Sequence, residues 1–245
     1  MIEIPAHGVD RMADLVAVRH GQSEANVLFA AAISAGHSDV KIPGPDSGVP
    51  LSELGRRQAQ QVGTYLATLP AHARPQAVVC SPYLRARQTL EEAGATADGL
   101  RVVLELAQYD ERLVDRRMGE WELLLPAQLR HRFPGAAAEI QAQGEFLHRP
   151  PGGESFADVA ARLASFLEDA HRTYRGQRVL LIAHDAVVLM LRRLIEGFTW
   201  RELASISQSN SVANGSITHW SWRVTPNLVA YNVKDHVADL NGGSA

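Results

Sequence analysis

Two histidines in this chain stand in the same local setting, and their neighbours define the chemistry on offer. Residues 15–18 form a short apolar run that leads directly into Arg19-His20-Gly21. Residues 179–183 form a second run that leads directly into His184-Asp185. Each pattern reads as a buried strand, a histidine at its C-terminal tip, and then a helix. In open α/β sheets ligands collect at those strand tips, where helix N-termini favour anions. Imidazoles supply attack or proton transfer, and a guanidinium supplies a planar fork for oxygen atoms. Two histidines and an arginine at one sheet edge point to chemistry on a phosphate.

Such chemistry has fixed requirements: a nucleophile, cations on the phosphoryl oxygens, and an acid for the departing oxygen. His20 is the candidate nucleophile. One of its ring nitrogens must attack while the other gives its proton to a fixed acceptor. Arg19 and Arg85 would keep the ring neutral by like-charge repulsion and would grip the phosphoryl oxygens. His184 would donate a hydrogen bond to the charged transition state. Arg87 lies about 200° from Arg85 around a helix and reads as a solvated charge. A histidine at a strand end can also be an ordinary core residue, but the matched pair with Arg19 beside it weighs against that.

The elements that must position these groups can be traced along the chain. Residues 1–13 read as a loose leader. A strand over 14–18 is followed by a helix over 23–33, and residues 34–50, rich in Gly, Pro, Ser and Asp, read as a loop. Ser52 caps a helix to about Leu69. A strand over 77–80 precedes Ser81-Pro82, which reads as a helix start. That helix runs to about Ala93, and residues 100–105 read as another strand. Residues 108–152 hold charged turns, a bend at residues 150–153 and one or two helices. Residues 155–174 form an amphipathic helix ended by Gly176. A strand over 178–183 and a helix over 186–196 follow, closed by Gly197. Residues 216–222 and 228–233 flank Thr225-Pro226-Asn227 as an antiparallel edge pair. Trp220 and Trp222, on one face of it, would cover the sheet edge or a dimer contact. The alternation of strands and helices predicts one α/β domain, a three-layer α/β/α sandwich with a mainly parallel sheet.

Composition narrows the classes. The chain has 245 residues, 46% of them hydrophobic, and a formal net charge of −3. That is enough chain for one large core, and the charge leaves no footprint of general nucleic-acid or membrane binding. Anion affinity must come from a few placed arginines. Cys80 is the only cysteine and reads as a buried strand residue. The N-terminal segment lacks the apolar block of a signal peptide, and no apolar run is long enough to span a bilayer, so a cytoplasmic location is expected. No HExxH or paired CxxC spacing is present, so neither a metal nor another cofactor is expected. His37, His131, His148 and His171 lie in polar segments and read as solvated.

Several stretches carry a resemblance when taken in order. RHGQSEAN (19–26), SPYLRARQT (81–89), LVDRRMG (113–119) and LLIAHDA (180–186) resemble motifs of the histidine phosphatase superfamily, in its phosphoglycerate mutase-like branch. PLSELGRRQAQQVG (50–63) and PPGGES (150–155) are similar to its connecting motifs. The likeness spans roughly residues 14–220. It implies the phosphoglycerate mutase-like fold, a single catalytic domain over 1–245, and a segment over 108–152 that covers the substrate. It also implies substrate contacts by Gly21, Asn26 and Asp185, although Asn26 also reads as a polar residue on an exposed helix face.

The acid is open. The family's mutase-like branch places a glutamate four residues before a glycine, and here Asp115 stands before Gly119. Aspartate reaches about 1.5 Å less. Asp185 ranks next, because a His-Asp pair resembles the acid phosphatase branch. Glu111 follows. Any of the three also reads as a surface carboxylate paired with Arg112, Arg116 or Arg117.

The expected function is a phosphomonoesterase working by double displacement through phosphohistidine at His20, without a metal. A phosphoglycerate mutase would need matched basic residues over 120–152, which show only scattered Arg130, Arg132 and Arg149. A non-catalytic binding module would have lost the nucleophile, and here it is present. The substrate, a phosphorylated metabolite or phosphoprotein, would be read by residues 27–50 and 108–152. Trp121, Phe133, Phe146 and Phe156 there could line a pocket or sit in the core. No nucleic-acid or membrane partner is expected, and a homodimer stays open.

Overall fold

The alternation of apolar runs and amphipathic helices resolves into three layers. The structure is a computed structural model and describes residues 11–241. Strands β1 (Asp14–Arg19), β2 (Ala77–Cys80), β3 (Gln108–Tyr109), β4 (Arg178–Ala183), β5 (Ile217–Ser221) and β6 (Asn227–Val233) form one sheet. Their spatial order is β3-β2-β4-β1-β5-β6. Strand β4 pairs in parallel with β1 and β2, and β2 with β3. Strand β5 runs antiparallel to both β1 and β6.

Both central strands are uninterrupted apolar runs because both of their faces are covered. Leu15 and Ala17 of β1, with Val179, Leu181 and Ala183 of β4, enter one core. Val18, Leu180 and Ile182 enter the other. The period of two along a strand makes this division.

On the first face lie α7 (Phe156–Thr173), α8 (Asp185–Glu196) and α9 (Trp200–Ser209). On the second lie α2 (Glu53–Thr68), α3 (Leu84–Thr96) and α4 (Arg101–Glu105). Helix α1 (Glu24–Ser34) follows β1, α5 (Pro126–Arg132) and α6 (Ala136–Gln143) lie in the 108–152 segment, and α10 (Ala238–Asn241) closes the described chain.

The caps follow the expected chemistry. The Ser52 hydroxyl accepts from the Gly55 N–H, and Ser155 forms a reciprocal capping box with Asp158. Gly197 ends α8 at φ +75°, a left-handed turn that suits glycine.

Several expectations are corrected. Residues 100–105 are not a strand but mostly the short helix α4, because Leu100 and Leu104 bury at i, i+4 spacing while Val102 faces solvent. The outer strand is Gln108–Tyr109 instead. Helix α3 begins at Leu84 and extends to Thr96, so Pro82 is not its first residue. Residues 1–10 of the expected leader lie outside the described residues. Its last part is anchored: Met12 is fully buried and the Ala13 N–H donates to the Gln177 carbonyl. Trp220 and Trp222 are buried within the chain rather than offered to a second copy, and Trp220 Nε1 donates to Glu196 at 3.0 Å. His148 is buried and stacked on Trp121, and His171 packs edge-on to Trp222, so neither is solvated. Cys80 is buried in β2, as expected. No helix among the described residues is long and apolar enough to cross a membrane.

Candidate active site

Neighbouring parallel strands place the two histidines. Arg19 of β1 pairs in register with Ala183 of β4, so the residues that follow each strand leave the same sheet edge side by side. The His20 N–H donates to the Ala183 carbonyl at 2.9 Å. The ring centroids of His20 and His184 lie 5.1 Å apart, inclined at 62°, and both rings are buried.

Local contacts fix both tautomers. His20 Nδ1 lies 2.7 Å from the Gly21 carbonyl, an acceptor only, so Nδ1 carries the proton and Nε2 the lone pair. His184 Nε2 lies 2.8 Å from the Ser81 hydroxyl. That hydroxyl accepts from the Tyr83 N–H, and Nε2 is the acceptor that the described residues offer for its own proton. His184 therefore carries its ring proton on Nδ1. Among the described residues this buried N–H has no hydrogen-bond partner; Asp115 Oδ2 lies 3.4 Å away. Burial first, then Arg85, holds both imidazoles well below the ordinary histidine range, with Arg19 adding to each and His184 adding to His20. His20 is thus neutral, with the lone pair on Nε2.

Of the expected cationic and acidic groups, Arg85 and Asp115 meet these rings closely. Arg85, the second residue of α3, sends Nε to His20 Nε2 at 3.1 Å and Nη2 to Asp115 Oδ2 at 2.9 Å. Arg19 donates from Nη1 to the Val212 carbonyl and pairs with Asp185 at 3.4 Å, while its Nε is buried without a partner. Asp115 takes none of Arg112, Arg116 and Arg117 as a side-chain partner and faces Arg85 and His184 instead. Asp185 lies at the cleft wall beside Arg19. Glu111 is exposed and paired with Arg117 at 3.9 Å, away from the cleft. Arg87 is exposed, as expected.

Asn26 lines the cleft, but its Oδ1 already accepts the Ser23 N–H as part of the α1 capping box. Gly21 serves packing. A Cβ there would collide with the Gly55 carbonyl, and one on Gly55 would collide with the Gln22 carbonyl. The turn after β1 and the start of α2 approach so closely only because both residues are glycine.

The cleft encloses about 290 Å³. Beyond the phosphate-sized centre its walls carry Glu122 and the apolar side chains Phe29, Met118, Leu123 and Phe156. Of the other aromatic candidates, Trp121 and Phe146 are buried in the packing around Phe133 and Phe156. Arg116 also lines the cleft, but it donates to the carbonyls of Glu154 and His148 over the Phe156 ring.

His20, Asp115 and His184 bring potential ligand atoms within 4.8 Å of one another. A metal cation there would stand against Arg85, whose guanidinium touches both His20 and Asp115. The two buried N–H groups without partners, Arg19 Nε and His184 Nδ1, are suited to an anion.

Two residues at the site, Ser81 and Asp46, are not singled out by the sequence. Ser81 follows β2, which neighbours β4, so the strand-tip rule that finds the two histidines also finds it. Its reading as a helix cap concealed this. Asp46 sits in the long loop before α2, where nothing in the sequence distinguishes it.

Comparisons with known proteins give the family and the fold. The family model of the histidine phosphatase superfamily, branch 1, matches residues 15–232. The chain belongs to that superfamily. A phosphoglycerate mutase-like protein of Arabidopsis thaliana is 32% identical over 163 residues, 64% of this chain and 46% of its own. A 2,3-bisphosphoglycerate-dependent phosphoglycerate mutase of Azorhizobium caulinodans is 32% identical over 210 residues, covering 80% of this chain and 89% of its own. A mycobacterial glucosyl-3-phosphoglycerate phosphatase, solved with inorganic phosphate, superposes with a TM-score of 0.65 at 25% identity, over 90% of this chain and 97% of its own. The chain spans about half the length of several curated relatives it matches.

Proposed function

We infer that the protein is a phosphomonoesterase that works through a phosphohistidine on His20. The observation that carries this reading is the pair of imidazoles 5.1 Å apart beside Arg85, with unpartnered buried donors on Arg19 and His184. In the first half-reaction His20 Nε2 attacks phosphorus in line, the P–O ester bond breaks, and Asp115 gives its proton to the leaving oxygen. Arg19, Arg85 and His184 hold the equatorial oxygens as charge develops. In the second half-reaction Asp115 takes a proton from water as water attacks phosphorus. The P–N bond breaks and inorganic phosphate leaves.

The cleft walls favour hydrolysis over phosphoglycerate mutation. A mutase must hold a substrate carboxylate and a second phosphate, which calls for spare cations. Here the walls carry Glu122, Asp185 and apolar groups, and Arg116 is committed to backbone carbonyls. Arg130 and Arg132 lie on α5 and do not line the cleft; Arg149 pairs with Asp158.

Rapid quench with a labelled phosphate ester tests the reading. An acid-labile, alkali-stable adduct on His20 is expected, together with release of inorganic phosphate and no label in His20→Ala. Isomerisation of 3-phosphoglycerate outpacing phosphate release would favour the mutase. A protein that binds phosphate esters without adduct or turnover would be a binding module.

A further inference from the structure

We propose that Asp46 is a built-in competitor for the phosphoryl group, holding the donors of Arg85 that substrate must take over. This rests on the reading of the cleft as a phosphoryl site.

A guanidinium has five N–H donors, and every one on Arg85 has a partner. Nε donates to His20 Nε2 at 3.1 Å. Nη1 donates to the Asp46 carbonyl oxygen at 2.8 Å and to Asp46 Oδ1 at 3.0 Å. Nη2 donates to Asp46 Oδ2 at 3.1 Å and to Asp115 Oδ2 at 2.9 Å. Asp46 thus takes three of the five. Its carboxylate meets the guanidinium with both oxygens, the same fork-to-fork geometry that a phosphoryl group adopts. The pair is largely buried: the Arg85 side chain is 4% exposed and that of Asp46 21%.

Two consequences follow for the reaction. Arg85 Nε–H sits on the lone pair that His20 must use for attack, so attack requires this bond to give way. A phosphoryl dianion on Arg85 would also stand beside the Asp46 carboxylate, and like charges at such distances oppose binding. Substrate therefore displaces Asp46. The chain allows this, because Asp46 opens a single turn, Asp46–Gly48, in a largely exposed loop. Apart from Arg85, its backbone meets two local partners: its N–H donates to Glu122 Oε1 at 2.7 Å, and its carbonyl accepts the Val49 N–H at 3.2 Å within that turn. Asp46 is a positioning residue: it acts on substrate through Arg85.

The sign of the effect separates this role from a structural one. A lesion that merely loosens Arg85 weakens anion binding, whereas removal of a competitor strengthens it. Inorganic phosphate is titrated calorimetrically into the natural protein, Asp46→Asn, Asp46→Ala and Asp46→Glu, with thermal melting as the folding control. Phosphate is expected to bind about tenfold tighter to Asp46→Asn and Asp46→Ala, with KM for p-nitrophenyl phosphate falling in parallel. Asp46→Glu, which keeps the charge, is expected to stay within about twofold of the natural affinity. Unchanged or weaker phosphate binding by folded Asp46→Asn, with the natural protein binding normally, overturns the competitor role and leaves Asp46 as a support for Arg85. No phosphate binding by any of the proteins overturns the phosphoryl reading of the cleft together with this inference.

Discussion

Ser81, through its hydrogen bond to Nε2, sets whether the His184 ring carries its proton on Nδ1, the side that faces Asp115. Loss of the hydroxyl in Ser81→Ala leaves Nε2 buried without its donor and removes the tautomer preference. The expected cost is about 1–2 kcal/mol of transition-state stabilisation, roughly a ten- to thirtyfold fall in kcat/KM with little change in melting temperature. An unchanged kcat/KM would show that the ring is oriented by other contacts. His20→Ala is expected to reduce hydrolysis to background. Asp115→Asn should slow alkyl phosphates by about a hundredfold or more and p-nitrophenyl phosphate by far less, because only the alkoxide needs the proton. Equal slowing of both would move the acid role to Asp185. These residues differ in how legible they were. His20, His184 and Arg19 follow from strand-tip position alone. Asp115 came from a family position, and its contact with Arg85 depends on how the chain after β3 folds back, which no local spacing encodes.

At the level of elements, the turn after β1 and the start of α2 are joined by two glycines. Gly21→Ala would drive a methyl into the Gly55 carbonyl, and neither backbone can retreat without pulling His20 off its register with Ala183. The expected loss is about 3 kcal/mol, a fall in Tm of roughly 6–12 °C, accompanied by a loss of activity in the folded fraction. A variant that melts normally would show that this approach tolerates more room than the backbone positions allow. Elements with sustained periodicity and a cap were readable, as α2, α7 and α8 show. Residues 100–105 were not, because a short apolar run with two valines suits a strand and a helix equally. The i, i+4 burial of Leu100 and Leu104 against α3 decided the matter, and that is a tertiary effect. Residues 34–50 gave a loop correctly, but a loop's composition does not say which of its acids turns inward.

For the whole molecule, the buried imidazoles couple stability to pH. His20, His184 and His236 are held below the ordinary value of 6.5, and His171 is lowered to about 4, each chiefly by burial. The unfolded chain therefore binds protons that the folded chain refuses. Stability is full above about pH 6.5 and declines as pH falls from there toward the folded values. Each such ring contributes a slope approaching about 1.4 kcal/mol per pH unit. Urea midpoints at pH 7.5, 6.5 and 5.5 should fall in that order, and a flat series would mean that the rings accept protons within the fold.

The sheet order also has a temporal meaning. Strand β1 is flanked by β4 and β5, both of which are synthesised long after it. While the chain emerges, the strand that leads into His20 has neither of its sheet partners until residue 178, and not both until residue 221. A nascent chain that stops short of β4 lacks the parallel partner that sets the register of β1 at Arg19, and with it His184. The sheet edge that carries His20 and His184 is thus completed late, when the last part of the polypeptide closes around a strand laid down at the start.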